Sequence, residues 1–334
     1  MSDCPPHLTR FEPLTAHLVV ALVALVVIGG ATRVMQAGLA CPDWPLCYGT
    51  LLPGRQMNLQ VFLEWFHRLD AFLVGLALVA LQVVVLRRPA ALRPPWLIGA
   101  SAAALGLVAV QGGLGALTVT QLLRFDVVTA HLSTALLLVA LVSAIHQGMA
   151  PQDLQSRTLR SPTLAQPHVS RLAWLRQQGW WLAAAAAGVG VFVQAVSGAL
   201  MATQWASGSC LTAGVACGWL ALHRQMATPV AITVLVVAAA HLLVREQRVL
   251  QGSYALAALL LVILQIVLGV LTLRLALEVP LVTVSHQLTA ALLVAVLSAL
   301  AMRNRPRPAP APIDTVQPQP SCLESCHGSV SYTH

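Results

Sequence analysis

The chain has 334 residues, of which 57% are hydrophobic and only 9% charged, and its mean hydropathy is +0.77. Soluble domains carry about 25% charge, so a soluble globular enzyme is excluded. The net charge of +8 rests on arginine alone, and in so apolar a chain it favours anionic lipid headgroups over a nucleic-acid partner.

Eight apolar runs long enough to cross a bilayer follow one another: Ala16–Met35, Gln60–Leu86, Trp96–Thr118, Val127–Gln147, Trp180–Thr203, Trp219–Val244, Tyr254–Arg274 and Pro280–Met302. In lipid, every backbone polar group must be satisfied within the segment, so runs of this length are helices. The first run is longer than a signal-peptide core and no small-residue cleavage site closes it, so it is expected to stay as a span. The short N-terminal tail lacks an Arg/Ser-rich transit segment, which points to a bacterial chain. Most of the arginines fall in the tails and even-numbered loops. This bias predicts a bacterial inner (plasma) membrane protein with both termini cytoplasmic. Residues 151–178, with Pro151, Pro162 and Pro167, read as a cytoplasmic linker, and residues 304–334 as a Pro-rich disordered tail.

The runs repeat. His67–Arg68 matches His223–Arg224, His131 matches His286, Gly115 and Thr118 match Gly269 and Thr272, and Gly30…Cys41…Cys47 matches Gly198…Cys210…Cys217. Four helices per repeat keep the same orientation, so the halves are related by an axis along the membrane normal. The predicted fold is an all-α integral membrane protein of eight helices in two pseudo-symmetric four-helix bundles, residues 1–150 and 179–303.

Four histidines have repeat partners: His67, His131, His223 and His286. Each lies near the outer end of an even-numbered helix. One such histidine is more often a structural residue, but two repeat-related pairs at one depth suggest paired imidazoles on a heme iron. His17, His146 and His241 lie near the inner ends without histidine counterparts and read as structural. The rival pairing, His131 with His146 and His223 with His241, would stack two hemes across the bilayer as in an electron-transfer b cytochrome. Arg68 and Arg224 are placed to meet heme propionates or simply to snorkel. Glu64 lies three residues before His67, on the same helix face, and its counterpart is Leu220. One half thus adds a carboxylate to its histidines, as expected if one site holds a cofactor and the other does chemistry.

Cys41 and Cys47 in CPDWPLC, and Cys210 and Cys217 in CLTAGVAC, form one close pair per repeat in outer loops. They read as two disulfides with a positioning or a redox role. CLESCHG, with Cys322, Cys326 and His327, has one residue too many between its cysteines for c-type heme attachment and is taken as tail.

The runs GGATRVMQAGLACPDWPLCYG, EWFHRLDAFLVG, VTAHLSTALLL, HRQMATPVAI and VSHQLTAALL resemble the heme A synthase family over about residues 16–302. The resemblance implies an oxidoreductase of cytochrome oxidase assembly, which oxidises the C8 methyl of heme O to a formyl group with oxygen from water. It implies heme b on His223 and His286, the substrate heme on His67 and His131 with Glu64 beside it, and an activity-linked pair Cys41–Cys47. The expected partners are heme O, a heme O-forming farnesyltransferase and membrane lipids, with a homo-oligomer left open. The alternatives from other classes are a membrane b-type cytochrome and a heme carrier.

Overall fold

In the computed structural model, residues 12–89, 93–149, 171–206 and 218–306 are described. They form α1 (Glu12–Val34), α2 (Leu59–Arg87), α3 (Pro95–Thr120), α4 (Phe125–Met149), α5 (Arg171–Ala206), α6 (Gly218–Leu243), α7 (Arg245–Arg274) and α8 (Pro280–Arg303). All eight are long and apolar enough to cross a membrane. Asn58 caps α2 by accepting a hydrogen bond from Val61 N–H at 3.0 Å. Proline opens α3 and α8 at a position whose N–H would have no helical partner.

Two helices are longer than their apolar runs. α7 starts at Arg245 rather than Tyr254, and α5 at Arg171, inside the segment expected to be linker. The added turns of α7 are polar but docked. Gln251 is buried and its Oε1 accepts from Arg303 Nε at 2.5 Å, while the Arg303 guanidinium stacks over Tyr254. Cys210, Cys217, the rest of the linker and the CLESCHG tail lie outside the described residues.

Helices α1 to α4 close one ring, each packed on the next and α1 on α4; α5 to α8 close a second in the same way. The rings meet through α4 on α8, α1 on α8 and α4 on α5. Exchanging α1 with α5 and α4 with α8 leaves this set of contacts unchanged, which is the pseudo-two-fold the repeat requires. Leu22, Leu78, Leu138 and Val142 fill the first core, and Ala187, Val234, Leu293 and Leu297 the second. The peripheral face of α7 carries exposed Leu256, Leu260, Ile263 and Val267, as a lipid-facing surface does.

The repeat extends to backbone detail. Leu122 and Leu123 after α3, and Ala276 and Leu277 after α7, all adopt left-handed φ between 49° and 62°. Leu123 N–H closes on Thr118 O at 2.8 Å and Leu277 N–H on Thr272 O at 3.0 Å. These are the same helix-ending turn, built in both halves without the glycine that usually fills it.

Candidate functional site

The four repeat-related histidines share one local construction. Each rests the Cε1 edge of its ring on a glycine of the preceding helix. A Cβ built on Gly29 would stand 2.9 Å from His67 Cε1, on Gly115 3.5 Å from His131, on Gly198 2.8 Å from His223, and on Gly269 3.1 Å from His286. In the first half the glycine that meets histidine is Gly29; Gly30, the expected repeat partner of Gly198, faces Gln287 instead. A second layer also repeats. Thr134, one turn after His131, donates to Gln111 Oε1 at 2.6 Å, and Thr289, one turn after His286, donates to Gln265 Oε1. Neither glutamine was among the expected site residues, although both lie at matching positions of their repeats.

The His67 and His131 rings lie 6.4 Å apart, centre to centre, nearly perpendicular at 81°. Two metal–imidazole bonds of about 2 Å plus two half-rings come to about 6 Å, so an iron fits between them. His67, His131 and His286 each keep a buried Nδ1 without a hydrogen-bond partner. Among the described residues no three His, Cys, Asp or Glu side chains cluster as a bare metal ion would need. The histidines come in twos, the number of axial ligands that a porphyrin iron accepts. The glycine cradles, the spacing and the paired donors therefore fit a heme.

A cavity of about 1630 Å³ opens beside the first pair. Its walls include His67, His131, Glu64, Gln111, many apolar side chains of α1 to α4, and residues of the second half on α5 and α8. Arg33, one turn beyond Gly29 on α1, also lines it, and no hydrogen bond or ion pair joins its guanidinium to a described residue. Sequence reading passed over Arg33, although an arginine inside an apolar run is itself a signal.

Glu64 is only 4% exposed. Its Oε2 accepts the Cys41 backbone N–H at 2.8 Å and its Oε1 accepts from Arg68 at 2.5 Å. Arg68 also donates to the carbonyls of Asp43 and Leu46, both at 2.6 Å, and of Cys41 at 3.5 Å. Arg68 borders the cavity and in this structure directs its donors to the loop between α1 and α2 and to Glu64. Arg224, its counterpart, is exposed, and its guanidinium makes no hydrogen bond to a described residue.

Cys41 and Cys47 are joined in a disulfide with Cα atoms 4.8 Å apart, buried in a small core with Val61 and Trp65. Asp43 closes the loop between them by accepting Gly49 N–H at 2.8 Å and Tyr48 N–H at 2.6 Å. Those hydrogen bonds, Gly49's foremost, hold its carboxyl below the usual aspartate value.

The inner histidines are otherwise engaged. His241 is fully buried; Nδ1 meets Val237 O at 2.8 Å, Nε2 meets the Asn304 amide at 3.1 Å, and Trp180 packs against the ring edge. His146 Nδ1 pairs with Thr15 at 3.0 Å and His17 Nδ1 with Pro13 O at 2.5 Å. The Asn304 amide occupies the Nε2 that a second heme would need, which weighs against the stacked-heme pairing.

Fold and site together define a duplicated, all-α, multi-pass membrane protein with a histidine pair in each half, toward the end opposite residues 12 and 306. The chain matches the COX15-CtaA family, described as cytochrome oxidase assembly protein, over residues 14–298. It belongs to that family, the family of the heme A synthases. It is 31% identical to the heme A synthase of Caulobacter vibrioides, over 88% of this chain and 96% of that protein. It is 29% identical to the heme A synthase of Shewanella oneidensis over 39% of this chain, spanning under half (43%) of that relative. A 77-residue stretch, 23% of this chain, is 42% identical to the protoheme IX farnesyltransferase of Haloarcula marismortui, of which it covers 16%.

Proposed function

We propose that the chain oxidises the C8 methyl of heme O to a formyl group, giving heme A for terminal oxidases. The observation that carries this reading is the cavity where Glu64 stands beside the His67–His131 pair, with no equivalent carboxylate in the second half. Going from methyl to formyl through a hydroxymethyl stage removes two electrons and two protons at each of two steps, with water supplying the oxygen.

The lipophilic substrate enters from the bilayer into the apolar cavity, its farnesyl chain favouring that route. His67 and His131 hold its iron and so fix the porphyrin edge relative to Glu64. Arg33, unpaired at the cavity wall, is the guanidinium available to a propionate. Glu64 stabilises positive charge developing at the methyl carbon and accepts protons leaving it, while Arg68 and Cys41 N–H keep its carboxylate aimed. His223 and His286 would hold heme b, which would supply one-electron redox chemistry in the second half. A heme O-forming farnesyltransferase is the partner that supplies the substrate within the same membrane. The cytoplasmic placement of both termini in a bacterial inner membrane belongs to the same proposal.

The test is co-expression with a heme O-forming farnesyltransferase in a host without heme A, followed by mass identification of the extracted hemes. The chain is expected to yield heme A or hydroxylated heme O. Glu64→Ala is expected to keep its stably bound heme b and form neither product. Normal heme A from that variant removes Glu64 from the mechanism. Unaltered heme O with the folded native chain favours the carrier or electron-transfer alternatives.

A further inference from the structure

The two halves differ behind their first histidine. On α5, Gln194 and Ser197 stand four and one residues before Gly198; on α1 the same positions before Gly29 hold Leu25 and Ile28. Ser197 donates its hydroxyl proton to Gln194 O at 2.8 Å, which leaves its lone pairs 3.0 Å from His223 Nδ1. The Nδ1 edge of the ring is thus held by hydrogen-bonding partners on α5, which leaves Nε2 as the nitrogen to meet an iron. The Gln194 amide donates to His223 O at 2.8 Å and lies 3.0 and 3.5 Å from the two ring nitrogens, blocking rotation. His67 has none of this: its Nδ1 is buried without a partner, and Leu25 is cavity wall.

We propose that Gln194 and Ser197 are positioning residues that make the second histidine pair a permanent heme site, and that Leu25 and Ile28 leave the first pair free to release its heme. This rests on the assignment of heme b to the second half and of substrate to the first. A product must leave at every turnover and a cofactor must not, so two ligand pairs of the same chemistry need opposite release rates. A hydrogen bond behind a ligating imidazole fixes its tautomer and orientation and raises its basicity, worth about 10- to 100-fold in metal affinity. The first half omits that bond where release is needed.

The test uses the full chain purified from a host that makes heme B only. Heme loss is timed with excess apomyoglobin as acceptor, and the ferric/ferrous midpoint potential is measured by titration. Q194L/S197I, which installs the first half's residues, is expected to release heme at least about tenfold faster. Its potential should rise, because a less basic imidazole supports ferric iron less well. Ser197→Ala, a change helices tolerate, should move both quantities the same way by less and serves if the double variant does not fold. Wild-type release and potential in whichever of these variants is folded overturn the proposal. His223→Ala and His67→Ala separate the two claims. Loss of the stable heme from His67→Ala instead of His223→Ala overturns the assignment of the halves and this proposal with it. Its loss from His223→Ala, alongside unchanged release in the double variant, overturns the proposal alone.

Discussion

At the scale of single residues, Gly198 and Gly115 seat their histidines under unequal pressure. A methyl at 198 would stand 2.8 Å from His223 Cε1, while one at 115 would stand 3.5 Å from His131, an ordinary contact. His223 cannot swing aside, because Gln194 and Ser197 hold its ring. Gly198→Ala should therefore cost about 1–3 kcal/mol of overpacking and lower the heme-to-protein ratio of the purified chain, while Gly115→Ala stays close to wild type. Asp43 gives a prediction in pH. Its carboxyl is held below the ordinary value, so its support for the first outer loop is complete above the unfolded value of about 3.9 and is lost as pH falls through the lowered folded one. Above about pH 4 the rate at which a phosphine reductant opens the Cys41–Cys47 bond should owe nothing to Asp43 titration, and it should climb as pH falls below about 3.9. Asp43→Ala should show the faster opening already at pH 7. The histidines were legible because ionisable groups in apolar runs stand out. That Gly29 rather than Gly30 seats His67 was not, since one residue turns a helix face by about 100° and only the packed neighbour shows which way. The partners of Arg68 were not legible, because the carbonyls it binds lie 22 to 27 residues back along the chain, in a loop with no regular period.

At the scale of elements, the first outer loop and α2 form one unit. The disulfide, the Asp43 turn, the Arg68 fan and the Trp65 indole bond to Leu51 O at 2.6 Å all tie residues 41–51 onto the outer end of α2. Replacing both cysteines with serine should destabilise this unit by roughly 2 kcal/mol, the entropy of a short closed loop. The expected signature is local: faster exchange of the backbone amide at position 41 and reduced heme A formation, with heme b content unchanged. A fall in heme b as well would mean that the loop supports the second half too. Span number and order were readable from apolar length alone. The extra turns of α5 and α7 were not, because their residues are polar; what holds α7's is a buried Gln251–Arg303 contact that composition does not reveal.

At the scale of the whole molecule, the pseudo-two-fold gathers the four repeat-related histidines toward one end and places polar fastenings at the other, where residues 12 and 306 lie. His241, Asn304 and Trp180 form a closed group there. His241→Ala is expected to cost about 2–4 kcal/mol, from a lost buried ring and an orphaned amide, and to lower the thermal midpoint while leaving bound heme unchanged. His223→Ala should do the reverse, stripping heme b at modest cost to the folded apoprotein. A heme deficit in His241→Ala would revive the stacked-heme pairing. The halves are not sealed from each other. α8 gives His286 to one bundle, while the next residue, Gln287, lines the other bundle's cavity and donates to Val26 O at 2.9 Å. The repeat in the sequence indicated two like halves. The sharing of neighbouring α8 positions between them emerges only once α1, α4 and α8 are seen in contact.

The bond from Cys41 N–H to Glu64 reaches into laboratory practice. That N–H belongs to a cystine, and dithiothreitol, a habitual additive in membrane extraction, attacks cystines. Two batches from one plasmid, one prepared in air and one in thiol, would share a mass to within two hydrogens yet present the carboxylate to the substrate differently. Batch-to-batch scatter in specific activity should then follow the free-thiol titre of the sample, and a brief treatment with a mild oxidant should restore the weaker batch.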